Sequence, residues 1–344
     1  MSTGVDRYAY QILKEMDRMC SDLNISILVP GNAKVNPNFQ NIKVIRSKRQ
    51  KFWTQLVFGL YARFHRMTPI NLCNEASMLA PRGIVCLHDV CYAETPEVYP
   101  QLEEFSSEEI AWFLKVYVRI RKKAEVVVTV SEFSKQRIVE RLGIQPDRIE
   151  VVGNGWQHFE KIRSDDSLLN QYKQLKDKQY FFTLTSANKN KNLQWVLDTA
   201  HNNPSEQFVV AGKNLDRAAD FSQYPNILYV GYASDELAKT LMKHCRAFIF
   251  PSFYEGFGIP PLEALSVGAD IIISDSASLP EIFKKTAHYI KPDIPCNNLD
   301  QLLEEPVEEP GQVLDNYSWE SAAKKMYHLL QKYNLIDKKG VHHE

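Results

Sequence analysis

No apolar run approaches the about 18 residues needed to cross a bilayer, and no signal peptide opens the 344-residue chain. Asp-x-Asp is absent, and no Cys/His cluster has ligand spacing, so the sequence offers neither a divalent-metal nor a zinc motif. The six cysteines, at 20, 73, 86, 91, 245 and 296, are scattered and form no disulfide framework, which points to a reducing compartment. No Gly-x-Gly-x-x-Gly follows a strand and no Walker A motif occurs, which argues against a dehydrogenase or a P-loop enzyme. A formal charge of −1 argues against a general nucleic-acid binder. These absences leave a cytoplasmic or membrane-surface globular protein.

What is present is alternation. Val5 to Met19 has helical spacing of Tyr8, Ile12, Leu13 and Met16. Short apolar strands are expected at Ile25–Val29, Ile42–Ile45, Ile84–Leu87, Val126–Val130 and Ile149–Val152, with helical stretches between them. A second series is expected at Tyr180–Leu184, Phe208–Ala211, Ile227–Val230, Ala247–Phe250 and Ile271–Ile273. The polar segment Glu160–Lys178 separates the two series and reads as a linker. One core rarely serves more than roughly 250–300 residues, so two α/β domains with parallel sheets are predicted. They divide as 1–158, completed by a C-terminal helix over 318–335, and 159–317. Ligands bind such sheets at the carboxyl ends of the strands.

The most informative stretch runs from Ile249 to Ala264. A buried strand stops at Pro251-Ser252, Gly256 and Gly258 allow a tight turn, and Pro260-Pro261 suit a first helical turn. Free amides around Phe257, Gly258 and Ile259 would form an anion site. Glu255 and Glu263 bracket that turn, with Glu263 expected in the first helical turn, where the dipole favours its ionised form. A phosphate cradle between two hydroxyl-binding carboxylates suits a sugar nucleotide. The plain alternative is an ordinary strand-to-helix turn, with the glutamates capping or solvated.

This segment resembles the Glu-x7-Glu signature of retaining GT-B glycosyltransferases, specifically glycosyltransferase family 4. Other segments resemble the family in order: Gly4-Val5-Asp6-Arg7-Tyr8, Leu87-His88-Asp89-Val90 with Thr95-Pro96-Glu97, Val130-Ser131-Glu132-Phe133-Ser134, Val151-Val152-Gly153-Asn154-Gly155, Lys191-Asn192-Leu193, Leu279-Pro280-Glu281 and Tyr317-Ser318-Trp319-Glu320. The resemblance implies two Rossmann-like domains facing a central cleft that holds a nucleoside-diphosphate sugar, with the last helix crossing back to the first domain. It also implies a strand before the first glycine motif, in the middle of the N-terminal sheet. The chain opens Met1-Ser2-Thr3-Gly4, so that strand is expected upstream, and the N-terminus of the native protein would test this.

By the same resemblance, Lys191 contacts the diphosphate, Gly4 approaches it from the other domain, Glu263 binds ribose and Glu255 binds the transferred sugar beside Gly256, Phe257, Gly258 and Ile259. His88 contacts sugar and is not the general base; family members react on one face of the sugar without a clear nucleophile. Tyr232 lies in the loop Gly231-Tyr232-Ala233, which shares base recognition in the family. One departure stands out. Family members often carry an arginine about where this chain has Ser186, so either Lys189 substitutes or the site manages with one cation and amides. Read without the family, Lys191 is a solvated lysine in a polar cluster and His88 a structural histidine.

No acidic residue occurs between Asp22 and Glu75, while Lys34, Lys43, Arg46, Lys48, Arg49, Lys51, Arg63 and Arg66 do. Phe52, Trp53, Leu56, Val57, Leu60, Tyr61 and Phe64 form an apolar stripe beside them. Residues 46–66 therefore read either as an amphipathic helix on an anionic inner-membrane surface or as a core helix with a basic rim. The expected activity is metal-independent transfer of a hexose or deoxyhexose, with retention, to a glycan or lipid-linked acceptor of a surface polysaccharide, with no cofactor beyond the donor. The alternatives are a GT-B sugar-nucleotide 2-epimerase and a catalytically silent GT-B binding subunit.

Overall fold

A computed structural model describes residues 4–19, 24–31, 33, 38–48, 53–172, 175, 178–333 and 335. The chain divides into two compact units. The first comprises residues 1–94, 104–154 and 319–344; the second comprises 95–103 and 155–318.

In the first unit the strands are β1 (Ser26–Pro30), β2 (Lys43–Ser47), β3 (Ile70–Asn71), β4 (Gly83–Cys86), β5 (Ala124–Thr129) and β6 (Ile149–Val151). They form two parallel pieces, β1-β2 and β3-β4-β5-β6. The core of the larger piece is Val85, Leu87, Val127, Ile138 and Ile149, closed by Val116, Tyr117 and Ile120 of the helix Ser107–Lys123. Ser26, Ile27 and Leu28 of β1 and Ile70 and Asn71 of β3 line one cavity of about 730 Å³. Among the described residues no strand joins β1 to β3. β3 is too short to have been read from the sequence.

The first helix, Gly4–Met19, packs against the last, Trp319–Lys332. Tyr8 meets Trp319 edge-on at 6.1 Å. Asp17 ends that first helix as an anchor, since its carboxylate accepts backbone N–H groups from Gln40, Asn41 and Ile42 at 2.8, 2.7 and 2.7 Å. In the basic stretch, a π-helical segment Trp53–Phe58 runs into the helix Gly59–Phe64. Trp53, Val57, Leu60 and Tyr61 are half-buried there, whereas Leu56 and Phe64 are exposed. Lys34, Arg49, Lys51 and Phe52 lie outside the described residues.

The second unit holds β7 (Tyr180–Leu184), β8 (Gln207–Ala211), β9 (Ile227–Gly231), β10 (Ala247–Phe250), β11 (Asp270–Ser274) and β12 (His288–Ile290) in one parallel sheet, ordered β12-β11-β10-β7-β8-β9. The chain winds outward from β7 to β9, then returns to β7's other side and winds outward from β10 to β12. The switch between β7 and β10 is where such sheets open a crevice at their carboxyl ends. Residues 160–178 are not a linker. The described part of the stretch belongs to this unit: Lys239 Nζ donates to the carbonyls of Phe159, Glu160 and Ile162 at 2.8, 3.1 and 2.7 Å, and Asp165 N donates to Thr240 Oγ1. A polar sequence reads as a spacer until the helix that ties it down, Asp235–His244, is in view.

Candidate active site

Two loops leave the switch point side by side. One follows β7 and carries Lys191; the other follows β10 and carries Glu255. Asparagines staple them together. Phe253 N donates to the Asn190 carbonyl at 2.9 Å, and the Asn190 amide reaches Tyr254 O at 3.4 Å. Asn192, in the left-handed region at φ 56°, donates its side-chain amide to Pro251 O and Pro292 O at 3.0 and 2.7 Å, while its Oδ1 caps Trp195 N of the helix Leu193–Asn202. So held, Lys191 Nζ donates to Glu255 Oε1 at 2.5 Å and sits 5.4 Å from the centre of the Phe250 ring. Lys191 is thus not a loosely solvated lysine: its side chain is 27% exposed and that of Glu255 13%. Ser278 Oγ fixes the Glu255 carbonyl at 2.9 Å, and Ser276 Oγ fixes that of Phe253 at 2.6 Å.

Past Glu255 the chain turns through Gly256, Phe257 and Gly258 into the helix Ile259–Ser266. Gly258 has φ 96°, and a Cβ there would stand 2.7 Å from Leu279 Cδ2, so the turn requires glycine. Gly258 is also the N-cap, and no side chain caps this helix start. Phe257 packs edge-on against Tyr317 at 5.0 Å. Glu263 is not in the first helical turn: the helix begins at Ile259, which puts Glu263 fifth and removes the dipole argument made for it. What holds Glu263 is His158, whose Nε2 lies 2.7 Å from Glu263 Oε1, with the two side chains only 6% and 5% exposed. His158 escaped the sequence reading. Its only sign is a histidine shortly after Gly153-Asn154-Gly155.

Of the remaining second-unit residues, Ser186 is half-buried, and its Oγ accepts from Asn188 N at 3.4 Å. Tyr232 is exposed in the loop after β9. Tyr254 is buried and packs on Tyr99 at 5.4 Å, so the Thr95-Pro96-Glu97 segment lies with the second unit.

Gly4 and His88 belong to the first unit. Gly4 begins the first helix, and its own helix apart, no atom of the described residues comes within 4 Å of where its Cβ would be. His88 follows β4 at the carboxyl edge. Its ring is buried against Tyr8, edge-on at 4.7 Å, and its Nε2–H points to Leu72 O at 3.1 Å. Burial holds the imidazole below the ordinary histidine range, so it is neutral at pH 7, only partly offset by the Leu72 contact. Its backbone is pinned at both ends, N–H to Asn74 Oδ1 at 2.8 Å and C=O from Ser134 Oγ at 3.0 Å. The loop beyond is pinned by buried Glu94, which accepts from Arg137 Nε at 2.8 Å and Arg141 Nε at 3.0 Å. Asn74 and Ser134 were unread as site supports, although the Ser131–Ser134 spacing carries the capping signal that puts Ser134 there. Among the described residues no cluster of three or more His, Cys, Asp or Glu could hold a metal ion, and no helix is long and apolar enough to cross a membrane.

Residues 165–339 match the family model described as Glycosyl transferases group 1, and residues 2–157 match that described as Glycosyltransferase Family 4. The chain belongs to the group 1 glycosyl transferases. Among similar proteins, O-antigen chain mannosyltransferase B of Escherichia coli is 27% identical over 218 residues, covering 58% of this chain and 55% of that one. O-antigen chain mannosyltransferase RfbU of Salmonella typhimurium is 24% identical over 259 residues, covering 71% and 61%. The serotype-specific mannosyltransferase WbdA of Escherichia coli is 26% identical over 226 residues. This group 1 chain therefore spans about half the length of mannosyltransferase B and 26% of WbdA. Among solved structures, sucrose-phosphate synthase from Thermosynechococcus elongatus superposes with a TM-score of 0.72 at 14% identity, covering 96% of this chain and 94% of that one. Anabaena Alr3699/HepE, in complex with UDP and glucose, gives 0.67 at 14% identity, covering 96% of each. At that identity they establish the fold, which is GT-B: two Rossmann-like α/β units.

Proposed function

We propose that this group 1 glycosyl transferase moves a hexose from a nucleoside-diphosphate sugar to a glycan or lipid-linked acceptor in surface polysaccharide assembly, with retention of configuration and without a divalent metal. The observation that carries the reading is the Lys191–Glu255 pair at the β7/β10 switch, beside an uncapped helix start. Leaving-group departure builds charge on the diphosphate, and Lys191 with the amides of Gly258 and Ile259 supplies fixed donors for it. Glu255 accepts from hydroxyls of the transferred sugar. Glu263, oriented by His158, accepts from the ribose, and Tyr232 and Ser186 border the donor. A neutral His88 suits a hydrogen-bonding role toward sugar. The names of the O-antigen relatives favour mannose as the hexose.

The deciding measurement is the melting temperature of the purified chain with GDP, UDP, ADP and dTDP, alongside Glu263→Ala. A ligand at 100 times its dissociation constant stabilises by about 2.7 kcal/mol. One nucleotide should raise the wild-type melting temperature and do so less in the variant. If none does, the donor reading fails and the catalytically silent alternative takes its place. With the matching sugar nucleotide, EDTA should leave turnover unchanged; complete loss would refute metal independence.

A further inference from the structure

We propose that Ser274, Ser276 and Ser278 are positioning residues for Glu255, whose hydroxyls hold the loop after β10 so that its carboxylate meets the transferred sugar. The inference rests on the role given to Glu255 above.

The backbone ladder between β10 and β11 ends at the pair Phe250–Ile273. Beyond it, one loop carbonyl after another is taken by a side chain. Pro251 O accepts from the Asn192 amide at 3.0 Å, and Ser252 O from Ser274 Oγ. Phe253 O accepts from Ser276 Oγ at 2.6 Å, Tyr254 O from the Asn190 amide at 3.4 Å, and Glu255 O from Ser278 Oγ at 2.9 Å. Asparagines thus hold the loop from the β7 side and serines from the β11 side. Residues two apart in an extended chain face the same way, and the spacing Ser274-x-Ser276-x-Ser278 puts three hydroxyls in a row along the loop.

Buried carbonyls need donors whatever a loop does. That need accounts for Ser274, fully buried at the end of β11, but not for the rest of the row. Ser276 is only half-buried, where water can serve a carbonyl instead. Ser278 gives Glu255 O two donors, its hydroxyl at 2.9 Å and its N–H at 3.4 Å. Between them Ala277 has φ 53°, a left-handed backbone that a residue with a Cβ adopts only where its surroundings impose it. The carbonyl so clamped belongs to the residue whose carboxylate takes the proton of Lys191 Nζ. Fixing that carbonyl fixes the neighbouring Cα, and with it the reach of the carboxylate toward sugar hydroxyls. A bare diphosphate meets Lys191 and the helix amides instead, so the serines bear on the sugar rather than on the phosphates.

The test uses the full chain in two arms. In the ligand-free protein, amide hydrogen exchange over 252–256 should quicken in the double variant Ser276→Ala, Ser278→Ala, while β10 and β11 stay protected. In titration calorimetry with GDP and GDP-mannose, and with UDP and UDP-glucose, Ser278→Ala should weaken the bound sugar nucleotide about fivefold, the worth of one hydrogen bond, and leave its bare diphosphate unchanged. Ser276→Thr keeps the hydroxyl and should bind both as wild type does. In Glu255→Gln, adding Ser278→Ala should shift the ratio of the two dissociation constants no further, because the serine acts through the carboxylate. Exchange that stays slow in the double variant, a ratio that Ser278→Ala leaves constant, or a further shift in Glu255→Gln overturns the proposal. A wild type that binds none of the four ligands overturns the donor reading and this role with it. A wild type that binds them, with serine variants that discriminate equally well, overturns the role of the serines alone.

Discussion

Glu255→Gln should move the affinities for a bare nucleoside diphosphate and for its sugar nucleotide in opposite directions. In the ligand-free protein Lys191 and Glu255 satisfy each other at 2.5 Å, in a setting between surface and interior. A bare diphosphate draws Lys191 to its own charge and leaves the Glu255 carboxylate largely desolvated without its cation. A sugar nucleotide brings anion and hydroxyls together, so both groups exchange one partner for another. Removing the carboxylate charge frees Lys191 beforehand. Exposed ion pairs are worth about 0–1 kcal/mol and this one is more sheltered, so the diphosphate should bind roughly fivefold tighter, about 1 kcal/mol. The sugar nucleotide gains from the same release but loses charge-assisted hydrogen bonds of about 1.5–3 kcal/mol each, for a net weakening. The ratio of the two dissociation constants, from titration calorimetry without acceptor, should therefore shift by at least about tenfold toward the bare diphosphate. If the ratio stays constant, or the variant binds diphosphate more weakly than wild type, Glu255 is not the group that senses the sugar.

His158→Ala should raise the KM for donor about five- to thirtyfold with kcat little changed, since it loosens a ground-state contact worth about 1–2 kcal/mol. His158→Gln, which keeps a donor, should recover part of it; a drop in melting temperature with no change in KM would make the histidine merely structural. Asp17→Ala removes three backbone hydrogen bonds to a carboxylate and should cost at least about 3 kcal/mol in urea unfolding. Burial alone would raise the Asp17 pKa, but the three amides hold it below its ordinary 3.8. The stability it contributes is therefore present above that value and lost as pH falls below it, and acid unfolding should begin at higher pH in Asp17→Asn. For His88 the sign is the same at a higher pH, because the folded protein resists a proton that the unfolded chain accepts at about 6.5. Stability should fall as pH drops below 6.5, by no more than about 1.4 kcal/mol per pH unit, and urea melts of His88→Gln should lack that component.

Legibility followed distance along the chain. The alternation of short apolar runs with helical stretches gave both strand series, because a buried parallel strand is a local pattern. The two-residue β3 and the mixed sequence His288–Ile290 carry no such pattern. Lys191 and Glu255 were each readable from a local motif. Their contact was not, since it depends on β7 and β10 being neighbours, and the residues are 64 apart. Asn190 and Asn192 looked like mere polarity around the lysine because the carbonyls they bind lie 59 to 100 residues away.

Glu263 shows how a correct residue can carry an incorrect reason. The prolines marked the helix start well, but they mislead about the glutamate: Pro260 and Pro261 are the second and third helical residues, so Glu263 lies one turn on. There its direction matters more than the dipole. Each residue turns a helix by about 100°, so adding or deleting one residue between Pro260 and Glu263 would swing the carboxylate well away from His158. The short helix Gln157–Glu160, which carries that histidine, packs directly on Ile259–Ser266 and fixes which face must hold the glutamate. Spacing between the two glutamates is therefore constrained twice, by the glycine turn that Leu279 and Phe283 crowd from one side and by His158 at its far end. A ligand that spans both carboxylates meets a distance set by packing before it arrives.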